Sequence, residues 1–250
     1  MSEKQQLKEL VMFELRHISY KNIIGFIYAS LLAIFLIGYF SLSGEFFDFI
    51  DGTFGVHAMV DVFVLSYAMY FIYSIRPKSF RMHEQKGGLY SAPFLLLLRT
   101  MPFSEKVIVR SRVYLYVMIS LVLNSIVGSL TYFVATDLRE LIPVSLFPVW
   151  LIVWNVIMLL GGTYIPASEA GKIYTKKYLT FFNLIFFIGG IAGLLLIAIY
   201  SGNGLFAWAV IFMINYPIWS LIISILIGFL SIICTSYYMK RYMREVDYHV

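Results

Sequence analysis

His83 and Glu84 open the stretch "HEQKG", which would begin a zinc-binding H-E-x-x-H motif if position 87 were a second histidine; it is Gly87. The other histidines, His17, His57 and His249, are scattered along the chain. A single cysteine, Cys234, excludes an intramolecular disulfide and any multi-cysteine metal site. Neither a G-x-x-x-x-G-K-[ST] phosphate loop nor a G-x-S-x-G nucleophile elbow occurs. Three polar residues fall inside long apolar runs: Asp61, Asn124 and Asn155. A carboxylate at mid-membrane costs about 2.5–3.5 kcal/mol on insertion scales. Asp61 is expected near the outer end of its run, where it either reaches water or makes a polar contact along a pathway. Asn124 and Asn155 sit deeper, and such amides usually hydrogen-bond between helices. Catalysis inside a membrane would need several polar groups at matched depth, and these three do not supply them.

The elements that must position these residues follow from composition. The 250 residues are 60% hydrophobic and 13% charged, about half the charge of an ordinary soluble domain. One soluble core cannot absorb that much apolar surface, so lipid must solvate part of it. An all-α integral membrane protein is expected, built as one transmembrane domain over 1–250. Crossing the hydrocarbon takes about 20 apolar residues. Six runs qualify: Asn22–Leu42, His57–Ile75, Val113–Ala135, Pro143–Ile165, Tyr178–Tyr200 and Pro217–Met239. The first is too long and lacks the cleavage site of a signal peptide.

Two shorter segments remain. Residues 1–21 have a helical period, with Leu7, Leu10, Val11, Leu15 and Ile18 on one stripe and Lys4, Lys8, Glu9 and Arg16 mainly away from it. That pattern suits a helix lying in the membrane interface. Residues 201–216 contain "LFAWAVIFMI", uncharged and too short to span. A re-entrant segment is preferred there; the alternative is an early start to the sixth span with a kink at Pro217.

Charge sets the orientation. Eighteen of the nineteen Lys and Arg residues lie in the N-terminal segment, the loop from Arg76 to Arg112, the loop after span four and the C-terminus. Arg139 alone lies on the other side, with Glu45, Asp48, Asp51, Asp137 and Glu140. Basic residues mark cytosolic loops, so both termini are expected in the cytosol. This distribution accounts for the net charge of +5 without a nucleic-acid partner. The 37-residue loop 76–112 is then cytosolic and too apolar to be disordered. Helical extensions of spans two and three, with a short helix between, are expected.

Within that loop Glu84 is followed by Gly87 and Gly88, then "FLLLL", then "MPFS", and "EKVIVRSR" leads into span three. With the interfacial helix, the six spans and the segment before span six, this resembles the membrane subunit of type-2, exporter-type ABC transporters. Their loop pairs a glutamate and small residues with a leucine-rich run and a Leu-Pro-small turn; Met101 stands here for the leucine. The resemblance implies two permease subunits, identical or related, enclosing a pathway in the plasma membrane. Separate cytosolic ATPase subunits would carry the ATP and magnesium, leaving this chain without cofactor or catalytic residue. It implies an ATPase-coupling element at His83, Glu84, Gln85, Lys86, Gly87 and Gly88, supported by Met101, Pro102, Phe103 and Ser104. Which half makes the contact stays open. The cargo class would be a peptide, an antibiotic or a lipophilic compound. A stand-alone secondary transporter or channel, and an intramembrane enzyme, are the competing classes.

Overall fold

The computed structural model describes residues 2–42, 54–76, 80, 83–84, 89–91, 94, 97–98, 101, 103–162, 174–201 and 204–245. Among the described residues the secondary structure is helical except for one small ribbon. Helix α1 spans Glu3–Arg16, α2 Tyr20–Leu42 and α3 Phe54–Ile75. Helix α4 spans Glu105–Val134, and the short α5 spans Thr136–Leu141. A 3-10 turn at Val144–Leu146 leads into α6, Phe147–Gly162. Helix α7 is Lys176–Ser201, α8 Leu205–Asn215 and α9 Pro217–Glu245.

Among the described residues, α4, α6 with its leading turn, α7 and α9 are each long and apolar enough to cross a membrane. The pair α1 and Tyr20–Phe35 passes the same test together, but is bent by 75° at the break. Helix α3 runs 22 residues, about 33 Å at 1.5 Å per residue. The expected apolar runs therefore reappear as helices with shifted ends. The third begins at Glu105 rather than Val113, because Ser104 accepts a hydrogen bond from the Val107 N–H and caps the helix there. The segment before the last run is a helix of its own, separated from α9 at Tyr216, rather than a kinked start of α9.

The loop 76–112 departs from expectation. Its C-terminal part extends the third run as helix, but α3 stops at Ile75. His83–Glu84 (β1) pairs antiparallel with Leu89–Ser91 (β2), and helical residues within the loop come after this ribbon, at Phe94, Leu97 and Leu98, rather than at His83 and Glu84. Tyr174–Thr175 (β3), from the segment before α7, adds on the other edge of β2. The backbone N–H and C=O groups are thus satisfied across three strands from two loops rather than within one helix.

Helix α6 is the hub, packed against α3, α4 and α9, and small residues let each neighbour approach. A methyl group on Gly161 would lie 2.5 Å from the Ala68 Cβ on α3. One on Gly128 of α4 would lie 2.6 Å from the Trp154 Cδ1, and one on Gly228 of α9 3.3 Å from the Val156 Cγ2. Trp150 and Trp154 are fully buried at this centre, and the Trp150 indole donates to the Gly128 carbonyl over 3.3 Å. Helix α7 is peripheral: 12% of its apolar stretch is buried against the rest of the chain, against 39% for α4. Gly189, Gly190 and Gly193 on α7 face open space.

A second core lies at one end of the bundle, here called basal. There Leu10 of α1 packs with Leu98, Val107, Ile108, Met239 and Met243. The first helix and the far end of α9 thus meet at the same end. Helix α1 presses Leu10 onto α4 with Leu7 and Val11 half-buried, while Met12, Phe13 and Leu15 face outward. Of its apolar stripe, Leu10 is buried, Leu7, Val11 and Ile18 are half-buried and Leu15 is exposed.

Gly161→Ala should therefore lower thermal stability in detergent by about 1–3 kcal/mol through overpacking. Gly189→Ala should be neutral or stabilising by up to about 1 kcal/mol. Paired unfolding curves check both.

Candidate functional site

Two buried ionic arrangements stand out, one in each half of the bundle. At the basal end, Glu14 of α1 is 4% exposed. Its Oε1 accepts from the Arg76 Nε over 3.2 Å, and its Oε2 from the Arg112 Nη1 over 2.6 Å. Arg76 follows the last residue of α3 and Arg112 lies in the third turn of α4, so one carboxylate ties together both ends of the loop 76–112. Arg76 also donates from Nη2 to the Phe80 carbonyl. The Arg112 guanidinium lies 5.0 Å from the centre of the Phe80 ring and 5.9 Å from that of Phe94. Phe13 stacks on Phe94 at 5.1 Å, and the His17 ring lies 4.2 Å from Phe13. The His17 Nδ1–H donates to the Phe13 carbonyl, closing α1. Asn22, at the start of α2, donates to the Ile75 and Arg76 carbonyls and finishes the C-terminus of α3.

Burying a carboxylate costs several kcal/mol unless pairing and hydrogen bonds repay it. Two guanidinium partners and an aromatic surround do so here. The sequence reading did not single out Glu14. A signal was present: it lies three and four residues beyond Val11 and Leu10, inside the apolar stripe rather than opposite it.

At the other arrangement Asp61 is 2% exposed and does not reach water. Its Oδ2 accepts from the Leu205 N–H over 2.6 Å and its Oδ1 from the Phe206 N–H over 2.8 Å. Gly204, at the N-cap position of α8, has no side chain to satisfy those donors. Asp61 supplies the cap from another helix, and its charge faces the positive end of the α8 dipole. A cavity of about 60 Å³ adjoins this contact, lined by Val64, Leu65, Ile157 and Ala209. It is far below the several hundred Å³ that enclose an organic ligand. With both oxygens engaged by backbone amides, Asp61 is built as a structural bond rather than as a general base.

The two asparagines differ from each other. Asn155 donates to the Ser125 Oγ on α4 over 3.0 Å and to the Leu151 carbonyl, bridging helices as expected. Asn124 donates to the Ser120 Oγ of its own helix, contrary to the interhelical expectation. The Oδ1 atoms of both are buried without a partner among the described residues. Asp61, Asn124 and Asn155 form three separate contacts.

Of the residues expected to couple to an ATPase, His83 and Glu84 form β1, and Glu84 is exposed. Gln85, Lys86, Gly87, Gly88 and Pro102 lie outside the described residues. Met101 is exposed, Phe103 packs against the basal core, and Ser104 is the cap of α4. Exposed Leu89 and Leu97 stand in the same loop. Among the described residues no group of three or more His, Cys, Asp or Glu side chains is placed to hold a metal.

Asp61→Leu should strand two buried N–H groups and destabilise α8 by about 1–3 kcal/mol each. The check is thiol labelling in a Cys234→Ser background carrying Ala207→Cys. With Asp61 in place, that site should resist a membrane-permeant thiol reagent. Adding Asp61→Leu should make it react at least several-fold faster. Equal labelling would mean that the cap is dispensable.

The chain matches no family model, no curated protein and no solved structure.

Proposed function

We propose that this chain is the membrane-spanning subunit of an ATP-driven exporter of the type-2 ABC class, crossing the plasma membrane six times with both termini in the cytosol. The observation that carries the reading is the basal end. It is a packed, non-spanning surface assembled from α1, the loop 76–112, the β3 segment and the end of α9, and it is pinned directly to α3 and α4. Such a surface suits a docking site whose displacement must reach the membrane.

Charge supports the same orientation. The described basic residues of α1, α4 and α9 gather at the basal end, including Lys106, Arg110, Lys240 and Arg244, while Arg139 lies in α5 between the outer ends of α4 and α6. By the positive-inside rule the basal end faces the cytosol. Leu89, Leu97 and Met101, exposed in the loop 76–112, would contact the separate ATPase subunits, which carry ATP and magnesium. A second copy or a related permease completes the pathway, and α7, the least packed span, is the face left open to it. The cargo is a peptide, an antibiotic or a lipophilic compound.

An ABC ATPase is expected in the reading frame beside this gene, and the test is co-expression with it. The chain should retain that ATPase through purification in detergent. Glu84→Lys should weaken retention at least several-fold while leaving membrane insertion intact. Loss of neither retention nor ATP turnover in that variant would remove His83 and Glu84 from the contact, and failure of the wild type to retain any ATPase would remove the reading itself.

A further inference from the structure

We propose that Glu14 is a positioning residue of the coupling machinery: its carboxylate clamps both feet of the loop 76–112 and makes α1 a moving part of the transmission. The proposal rests on the reading above for the identity of the motor, but the clamp itself is a property of this chain.

A carboxylate has two oxygens, and here each serves a different span. Oε1 holds Arg76 at the foot of α3, and Oε2 holds Arg112 in the basal turns of α4. The geometry tolerates little relative motion. If the feet slid apart by about 1 Å, the 3.2 Å bond to Arg76 would pass the limit of a hydrogen bond. Apolar residues at all three positions would fill the site with no charge to bury, and such whole-triad replacements are often neutral or stabilising, whereas removing Glu14 alone would strand two buried guanidinium groups. The ion triad therefore does something that packing alone does not: it fixes register between two helices.

The path continues beyond the triad. Phe80 and Phe94, both from the loop, lie against the Arg112 guanidinium, so the loop bears directly on the clamp. Asn22 joins the start of α2 to the end of α3, one 75° bend after α1. A push on the loop is thus delivered to α2, α3 and α4 together, and α1 is the tie between them. A merely anchoring interfacial helix would need no buried charge on the face it turns toward the bundle.

The experiment uses hydrogen–deuterium exchange on the full chain, with Glu14→Gln and Glu14→Asp. Glutamine removes the charge, and the shorter aspartate reaches one arginine but not both. In detergent without any partner, peptides covering 3–16 and 103–112 should open on the order of 100-fold more often in either variant, while 205–215 stays unchanged. Unchanged exchange at 103–112 in both variants overturns the clamp, whatever the motor proves to be.

The second arm uses the complex with its ATPase, comparing nucleotide-free protein with protein trapped by ATP and orthovanadate. In the wild type, trapping should alter exchange in α3 and α4. Both variants should trap nucleotide to the wild-type extent, yet the trapping-dependent change in α3 and α4 should fall at least about three-fold. A purely structural Glu14 would leave that difference intact, and a wild-type response in both variants overturns the positioning role. If the wild type retains no ATPase, the functional reading fails while the first arm still decides the clamp.

Discussion

In hydrocarbon there is no water to finish a helix, and this constraint organises the structure. Every backbone N–H and C=O left over at a helix end has to be satisfied by the protein itself. The chain meets that demand by borrowing side chains from other helices. Asp61 closes the N-terminus of α8, and Asn22 closes the C-terminus of α3. The Tyr116 hydroxyl donates to the Leu159 carbonyl near the end of α6, and the Tyr132 hydroxyl to the Ile142 carbonyl just past α5. Each bond that completes one element also fixes the position of another, so helix termination and tertiary packing become the same event. With little hydrophobic force between helices in lipid, these bonds and the close approaches at Gly128, Gly161 and Gly228 hold the bundle around α6.

The helices themselves were legible because length and hydropathy are local properties. The runs ending at Leu42 and Ile75, the run beginning at Pro217, and the separate apolar segment before it all reappear within a few residues. The Ser104 cap was legible too, as a serine followed by "EKVIV", yet it was read as part of a docking turn. What could not be read was pairing across sequence distance. Asp61 was visible as a charge inside an apolar run that could have reached water, but the partners it has are backbone amides, which carry no residue signature. Glu14 was hidden for a different reason: an apolar stripe is identified by its majority, and one acid inside it reads as noise.

The β-ribbon was missed although its signal was present. Gly87 and Gly88 fall between two short runs of residues that accept extended backbone, which favours a hairpin turn. The apolar composition of the loop between two long helices favoured helix there instead. A ribbon differs mechanically from a helix, because β3 recruits the segment before α7 and so links two loops that a coupling helix would leave independent.

The bond between Asp61 and α8 also carries a direction in time. The carboxylate and the first amide it binds are 144 residues apart, so the acid leaves the ribosome long before its partners exist. Chains are made from the N-terminus and their parts fold in that order. The two bonds to the α8 amides can therefore form only after α4, α6 and α7 have been synthesised. The short helix α8 then arrives as a keystone, and its docking completes the half of the bundle away from the basal end.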